Sequence, residues 1–145
     1  MKIFTAGFTR KCAEAFFTGL KQSGASRLVD VRLNNTSQLS GFAKRDDLRY
    51  FLRTICGMEY THALELAPTA EMLSEYQKRL CDWAAYEARF LELMEKRQIE
   101  TEVAPELLDN ACLLCSEEKP HRCHRRLVAE YLQQHWPEVE IEHLP

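Results

Sequence analysis

The chain has 145 residues, of which 46% are apolar and 28% are charged, and its formal net charge is −3. This length predicts a single domain over residues 1–145, and the charge balance provides no overall attraction to nucleic acid or anionic membranes. No run approaches the roughly 18 apolar residues of a membrane-spanning helix. Arg10 and Lys11 interrupt the N-terminal segment before a signal-peptide core, so we expect a cytoplasmic protein.

The first third of the sequence alternates short β-type runs with a helical segment. Residues 2–6 form a β-type run that ends at Gly7, and Thr9 can cap the helix that follows. That helix stops near Gly24, and residues 27–32 form the second predicted strand. The polar residues after it predict a loop that extends to Gly41.

The middle of the chain is predicted to be mostly helical. Asp46 or Asp47 can cap a second helix that ends at Gly57, and residues 58–62 form a weak strand. A helical region with one break then occupies residues 68–96.

The last third begins with an apolar run at residues 110–115, which is too short for a helix and typical of a central parallel strand. A polar loop, a helix and a final strand at residues 139–142 follow. Strands that alternate with helices predict a parallel sheet covered on both faces and joined by right-handed crossovers.

Three of the predicted strands are followed by a glycine or by residues with polar, charged or thiol side chains. Ligands of open parallel sheets bind beyond the carboxyl ends of the strands, so we expect these residues to meet in one crevice. They are Gly7, Thr9, Asp30, Arg32, Cys115, Glu117, Cys123, His124 and Arg125.

Cys123 lies at the predicted start of a helix, with His124 and Arg125 directly after it. The amide groups of a first helical turn favour anions and lower the pKa of a thiol placed there. Arg125 would add charge-assisted donors for a phosphate, carboxylate or sulfate. Cys123 is therefore a candidate nucleophile, and the alternative is a salt-bridged helix start with an ordinary thiol.

Asp30 and Arg32 are two residues apart on the same face of their strand. They can form an ion pair that closes the strand end. Alternatively, Arg32 holds an anion in the crevice while Asp30 orients it or takes protons. Lys44 can reach the same crevice from its loop, or it can remain solvated.

The six cysteines fall into two groups. Three lie in helical patterns and are expected to pack as small hydrophobic residues: Cys12, Cys56 and Cys81. Cys112, Cys115, Cys123 and His124 supply four candidate zinc ligands. However, the odd spacing sends Cys112 and Cys115 to opposite faces of one strand, so we predict no bound metal.

Several segments together resemble the domain of unknown function 488 family along nearly the whole chain. They are residues 5–9, 29–32, 42–44 with Leu48, 113–117 and 123–125. The most specific element is a cysteine and a glutamate two positions on, followed after five residues by Cys-His-Arg. It is matched from Cys115 to Arg125. The second element is the Asp-Val-Arg strand end at Asp30.

The resemblance implies a small prokaryotic domain with a Rossmann-like, three-layer α/β sandwich and a mainly parallel sheet, but no established activity. The matching positions are Gly7, Thr9, Asp30, Arg32, Lys44, Cys115, Glu117, Cys123, His124 and Arg125. Cys112 lies outside the family pattern. Leu33 begins a segment in which the family commonly carries proline.

We expect an enzyme that acts on a phosphorylated or otherwise anionic substrate in this crevice. Cys123 or Cys115 would be the reactive thiol, Glu117 or His124 would carry the proton, and the arginines would hold the anion. The alternatives are a non-catalytic module for nucleotides or nucleic acid, a thiol redox switch, and a structural zinc site. The sequence names neither a substrate nor a cofactor.

Overall fold

Five parallel strands form the sheet of the computed structural model, which describes residues 1–36, 41–117 and 120–145. The order across the sheet is β3-β2-β4-β1-β5. The strands are β1 (Lys2–Gly7), β2 (Arg27–Asp30), β3 (Glu59–His62), β4 (Ala111–Cys115) and β5 (Glu140–His143). Residues 37–40 of the predicted polar loop lie outside the described residues.

Helices cover both faces of this sheet, which confirms the predicted α/β sandwich. No helix among the described residues is long and apolar enough to cross a membrane. The helices are α1 (Ala13–Ser23), α2 (Arg45–Phe51) with a π-helical continuation (Leu52–Cys56), α3 (Ala70–Gln77), α4 (Trp83–Arg97), α5 (Ile99–Glu102), α6 (Pro105–Leu108) and α7 (His124–His135).

Each face of the sheet has its own apolar core, and β4 contributes to both. Cys112 and Leu114 pack with α1 and α2 on one face, while Leu113 and Cys115 pack with α4 and α7 on the other. All five residues of β4 are buried, as expected for a central parallel strand. The predicted separation of Cys112 from Cys115 is therefore confirmed.

The predicted cap of the first helix is wrong. Helix α1 begins after Cys12, which is exposed at the cap position instead of packing in the core. Thr9 does not cap the helix because its backbone N–H and its hydroxyl both donate to the carbonyl oxygen of Ser116. Thr9 therefore ties the end of β1 to the end of β4.

The other helix starts show where local side chains decide the boundaries. Lys44, and not Asp46 or Asp47, occupies the cap position of α2, and the two aspartates lie in the first turn, where their charge favours the helix dipole. The predicted break separates α3 from α4. Asp82 ends this break, because its side chain accepts a hydrogen bond from the backbone N–H of Ala85 and caps α4, and Thr69 caps the start of α3 in the same way.

Candidate functional site

The carboxyl ends of β1, β2 and β4 meet at one edge of the sheet, where a crevice opens. Helices α1 and α7, which follow the neighbouring strands β1 and β4, pack on opposite faces of the sheet, so the loops diverge there. One cavity of about 480 Å³ is lined by residues including Arg32, Asn34, Ser116 and His124. A second, of about 130 Å³, shares part of that wall and adds Cys115, Glu117, Arg122 and Cys123.

Arg32 is almost fully buried in the wall of the larger cavity, with 4% of its surface exposed. Its Nε and Nη2 donate to the two carboxylate oxygens of Asp30, each at 2.8 Å, and Nη2 also donates to the carbonyl oxygen of Ala43. The guanidinium lies 5.1 Å from the centre of the Phe8 ring. Its Nη1 has no partner among the described residues. Arg32 therefore forms the ion pair, the first of the two roles considered from the sequence, and it keeps one buried donor without a partner among the described residues on a side chain that lines a cavity.

Asp30 is the centre of a buried network that holds Arg32 in place. It is fully buried and accepts a hydrogen bond of 2.6 Å from the hydroxyl of Tyr60. The amide of Asn35 donates to that same hydroxyl at 2.9 Å. Burial and the carboxylate of Asp30 raise the pKa of Tyr60, so the phenol remains a proton donor. The network leaves Arg32 little freedom to rotate.

Arg125 is fully buried beneath the loop that follows β4, and it is not among the residues that line the two cavities. Its side chain donates to the hydroxyl of Thr5 and the carbonyl oxygen of Glu117, and Nη1 lies 3.6 Å from Sγ of Cys115. Burial lowers the pKa of Arg125 to about 10, so it stays protonated at neutral pH. Arg125 therefore places a positive charge beside Cys115, ten residues earlier in the chain.

Gly7 is required by a close approach of the backbone. A Cβ at this position would lie 1.6 Å from the carbonyl oxygen of Glu117 and 2.7 Å from Nη1 of Arg125. No side chain fits there, because the first of these contacts is with backbone. Gly7 allows the Glu117 loop to cross over the end of β1.

Cys115 and Cys123 are joined in a disulfide, with Cα atoms 7.3 Å apart. Both side chains are buried, but both contribute to the wall of the smaller cavity. Cys123 is the cap residue of α7, as predicted, so the amide groups of the first turn lie next to it. The structure therefore brings together the two cysteines that the family pattern contains.

His124 is the first residue of α7 and lines both cavities. Its Nε2 lies 2.7 Å from the carbonyl oxygen of Val31. Because a carbonyl oxygen only accepts, Nε2 carries the hydrogen, and Nδ1 has a free lone pair. Burial, followed by the charge of Arg125, lowers the pKa of His124 to about 4, so the ring is neutral at pH 7.

The remaining predicted residues lie nearer the surface. Glu117 is exposed and contributes to the wall of the smaller cavity. Lys44 is exposed at the start of α2 and is not among the residues that line either cavity. Thr9 is exposed, and its hydroxyl bonds to Ser116. Glu117 is thus the member of this group that contributes to a cavity wall.

Sequence reasoning missed Tyr60, Asn35 and Ser116. Tyr60 and Asn35 complete the network around Asp30, and Ser116 lines both cavities. Tyr60 lies in a strand whose alternation is weak, and Asn35 lies in a loop, so no pattern marked either residue. Ser116 stands between two residues that the sequence did identify, and this position was the available signal.

Another groove, of about 260 Å³, lies between α1 and the π-helical turn. Its wall is mainly apolar, with residues such as Phe17, Phe51 and Ile55. It does not combine the buried cation, thiols and imidazole that converge at the sheet edge. The crevice at the carboxyl ends of the strands is therefore the better candidate site.

The comparisons with known proteins agree with the family pattern at this crevice. The family model described as Domain of unknown function DUF488 matches residues 12–132. No curated protein and no solved structure matches the chain. The match extends from the cap residue of α1 into α7 and includes Arg32, Cys115 and Cys123. The chain therefore belongs to the DUF488 family.

Proposed function

We propose that this protein is an enzyme that binds a phosphorylated or otherwise anionic substrate in the crevice and acts on it with a cysteine thiol. The observation that carries the proposal is Nη1 of Arg32, a buried donor without a partner among the described residues, on a side chain that lines a cavity of about 480 Å³. An unsatisfied buried donor is costly, and an anionic oxygen of a ligand would satisfy it with a charge-assisted hydrogen bond.

The reacting group that we propose is the pair of Cys115 and Cys123 in its reduced state. The guanidinium of Arg125 stabilises a thiolate at Cys115, and the start of α7 stabilises one at Cys123. Both residues contribute to the wall of the smaller cavity, together with Glu117, whose carboxylate can accept the proton of a thiol, and His124, whose neutral ring can accept a hydrogen bond from it.

The test uses two alkylating reagents that differ in charge. Iodoacetate is an anion and iodoacetamide is neutral, and the rate of each is mapped to individual cysteines of the reduced protein in the presence of a chelator. We expect iodoacetate to be favoured at Cys123 or Cys115 by about tenfold more than at the exposed Cys12, because one charge-assisted hydrogen bond contributes about 1.5 kcal/mol.

A pair of arginine variants controls this experiment. Arg32→Lys keeps a positive charge beside Asp30 but lacks Nη1, and it should remove the preference for iodoacetate. Arg27→Lys, at the other end of β2, should retain it. Equal preferences at Cys12 and at the crevice cysteines would show that the crevice does not select anions, and this result would overturn the proposal.

Turnover distinguishes an enzyme from a module that binds nucleotide or nucleic acid. Phosphate and carboxylate esters that bind in calorimetry are incubated with the reduced protein, and their products are measured. Turnover that is lost in Cys123→Ser and Cys115→Ser supports the enzyme. Binding that depends on Arg32 without turnover supports the binding module.

A thiol redox switch is a second candidate, and the disulfide between Cys115 and Cys123 favours it. Its formation from two thiols releases two electrons and two protons to an oxidant such as a low-molecular-weight disulfide. The switch predicts that titration with glutathione buffers interconverts the two forms and changes the affinity of the crevice for phosphate by at least about tenfold. An affinity that is the same in both forms contradicts it.

A further inference from the structure

Three potential metal ligands converge in the wall of the smaller cavity. The ligating atoms of Cys115, Cys123 and His124 all lie within 4.8 Å of one another. Two thiolates and one imidazole are a donor set that zinc prefers. Cys112, which the spacing argument excluded, is not part of this set. The argument from alternating strand faces therefore does not apply to it.

The hydrogen bond of His124 is the arrangement expected of a metal ligand. Metal-binding histidines usually donate their second ring N–H to a carboxylate or a backbone carbonyl, which fixes the ring and its tautomer. Nε2 of His124 donates in this way to the carbonyl oxygen of Val31 at 2.7 Å. Nδ1 is then the atom that offers a lone pair.

The spacing of the two cysteines also suits a shared ion. Their Cα atoms are 7.3 Å apart, whereas the Cα atoms of disulfide-bonded cysteines usually lie about 4.4–6.8 Å apart. Two thiolates on one zinc ion, each bonded at about 2.3 Å, do not need to approach each other to covalent distance. The positive charge of Arg125 beside Cys115 favours the thiolate that a metal requires.

We propose that Cys115, Cys123 and His124 bind a zinc ion when the disulfide is reduced. The two thiols lose their protons as they bind the ion, and Nδ1 of His124 is the third ligand. All three residues contribute to the wall of the smaller cavity, so the fourth position is open to water or to a ligand in the crevice. The zinc site does not depend on the anion at Arg32, and in the zinc-bound state the thiols are ligands, not nucleophiles.

The test is metal analysis of the full chain after reduction with a phosphine, incubation with zinc sulfate and removal of unbound metal. We expect about one zinc ion per chain. Cobalt(II) in place of zinc should give a thiolate-to-metal charge-transfer band and the intense d–d absorption of tetrahedral coordination. The cobalt spectrum identifies sulfur ligands in the unaltered protein, so this test does not depend on the folding of any variant.

Variants then assign the ligands. Cys115→Ser, Cys123→Ser and His124→Ala should each lower zinc affinity by at least about tenfold, while Cys112→Ala, three residues before Cys115 on the other face of the sheet, should bind zinc normally. A zinc content below about 0.1 per chain, or a cobalt spectrum without a thiolate band, overturns the proposal.

The two proposals fail in different ways. If the reduced protein binds no zinc but iodoacetate is still favoured at the crevice cysteines, the zinc site is wrong and the proposed function stands. If zinc binds and the preference for iodoacetate is absent, the proposed function is wrong and the zinc site stands.

Discussion

Arg32 and Arg125 are both buried at the carboxyl edge of the sheet, yet their donors are used differently. Arg125 bonds to atoms of the protein, including the carbonyl oxygen of Glu117. Arg32 uses Nε and Nη2 for Asp30 and Ala43, and its Nη1 has no partner in the part of the chain that the structure describes. Burial alone therefore does not mark a ligand-binding arginine. The informative feature is a buried donor that the protein leaves unsatisfied beside a cavity.

The largest expected effect concerns the ion pair between Arg32 and Asp30. Arg32→Met should lower the free energy of unfolding by about 3–5 kcal/mol, because it leaves the carboxylate of Asp30 buried without its counter-charge. Urea denaturation measures the loss. A loss below about 1 kcal/mol would mean that the pair is solvated and that Arg32 is not held as described.

A double variant separates the pair from simple loss of packing. Asp30→Leu combined with Arg32→Met removes both charges and should recover more than half of the stability that Arg32→Met loses. If the double variant is as unstable as the sum of the two single variants, the two side chains do not act as a coupled pair.

The region around Arg125 depends on close packing of the backbone and not on an ion pair. Gly7→Ala should destabilise the protein by about 2–3 kcal/mol, because the new methyl group meets the carbonyl oxygen of Glu117 and the loop over Arg125 must move. Gly19→Ala is the matched control. A Cβ there meets nothing within 4 Å, and alanine favours a helix interior by about 0.5–1 kcal/mol. Equal effects at the two glycines would contradict the close approach.

The sequence predicted most of the fold and identified both Arg32 and Arg125 as site residues. It did not predict which acceptors their N–H groups bind. The alternation of strands and helices follows from local patterns, and the strand-end rule brings Asp30, Arg32 and Cys115 to one edge. Helix starts were less predictable, because the hydroxyl of Thr9 bonds to Ser116 in place of capping α1. That contact depends on the packing of β1 against β4, which no local pattern encodes.

The contacts of the two arginines also lay beyond local reasoning. The sequence places Arg125 beside Cys123 because the two are near neighbours in the chain, whereas in the structure its Nη1 lies 3.6 Å from Sγ of Cys115, ten residues earlier. Likewise, Tyr60 reaches Asp30 from a neighbouring strand, and sequence separation conceals such a contact. Distances across a sheet are set by strand register, which requires the assembled fold.

The smallest expected effect concerns His143, whose pKa is lowered by burial and by the charge of Arg125. Nε of Arg125 donates to the hydroxyl of Thr5, which in turn lies 2.6 Å from Nδ1 of His143 and can donate to it. Burial, followed by the charge of Arg125, lowers the pKa of His143 below its usual value of 6.5.

As the pH falls through that value, the unfolded chain binds a proton before the folded protein does, so stability is present near neutral pH and decreases toward acid. His124, whose pKa is also lowered, contributes to the same window, so the informative quantity is the difference between wild type and His143→Gln in the presence of a chelator. The variant should have a shallower loss of urea stability below pH 6.5 than the wild type has. If His143→Gln and wild type lose stability in parallel, burial and the charge of Arg125 do not lower the pKa of His143 in the folded protein.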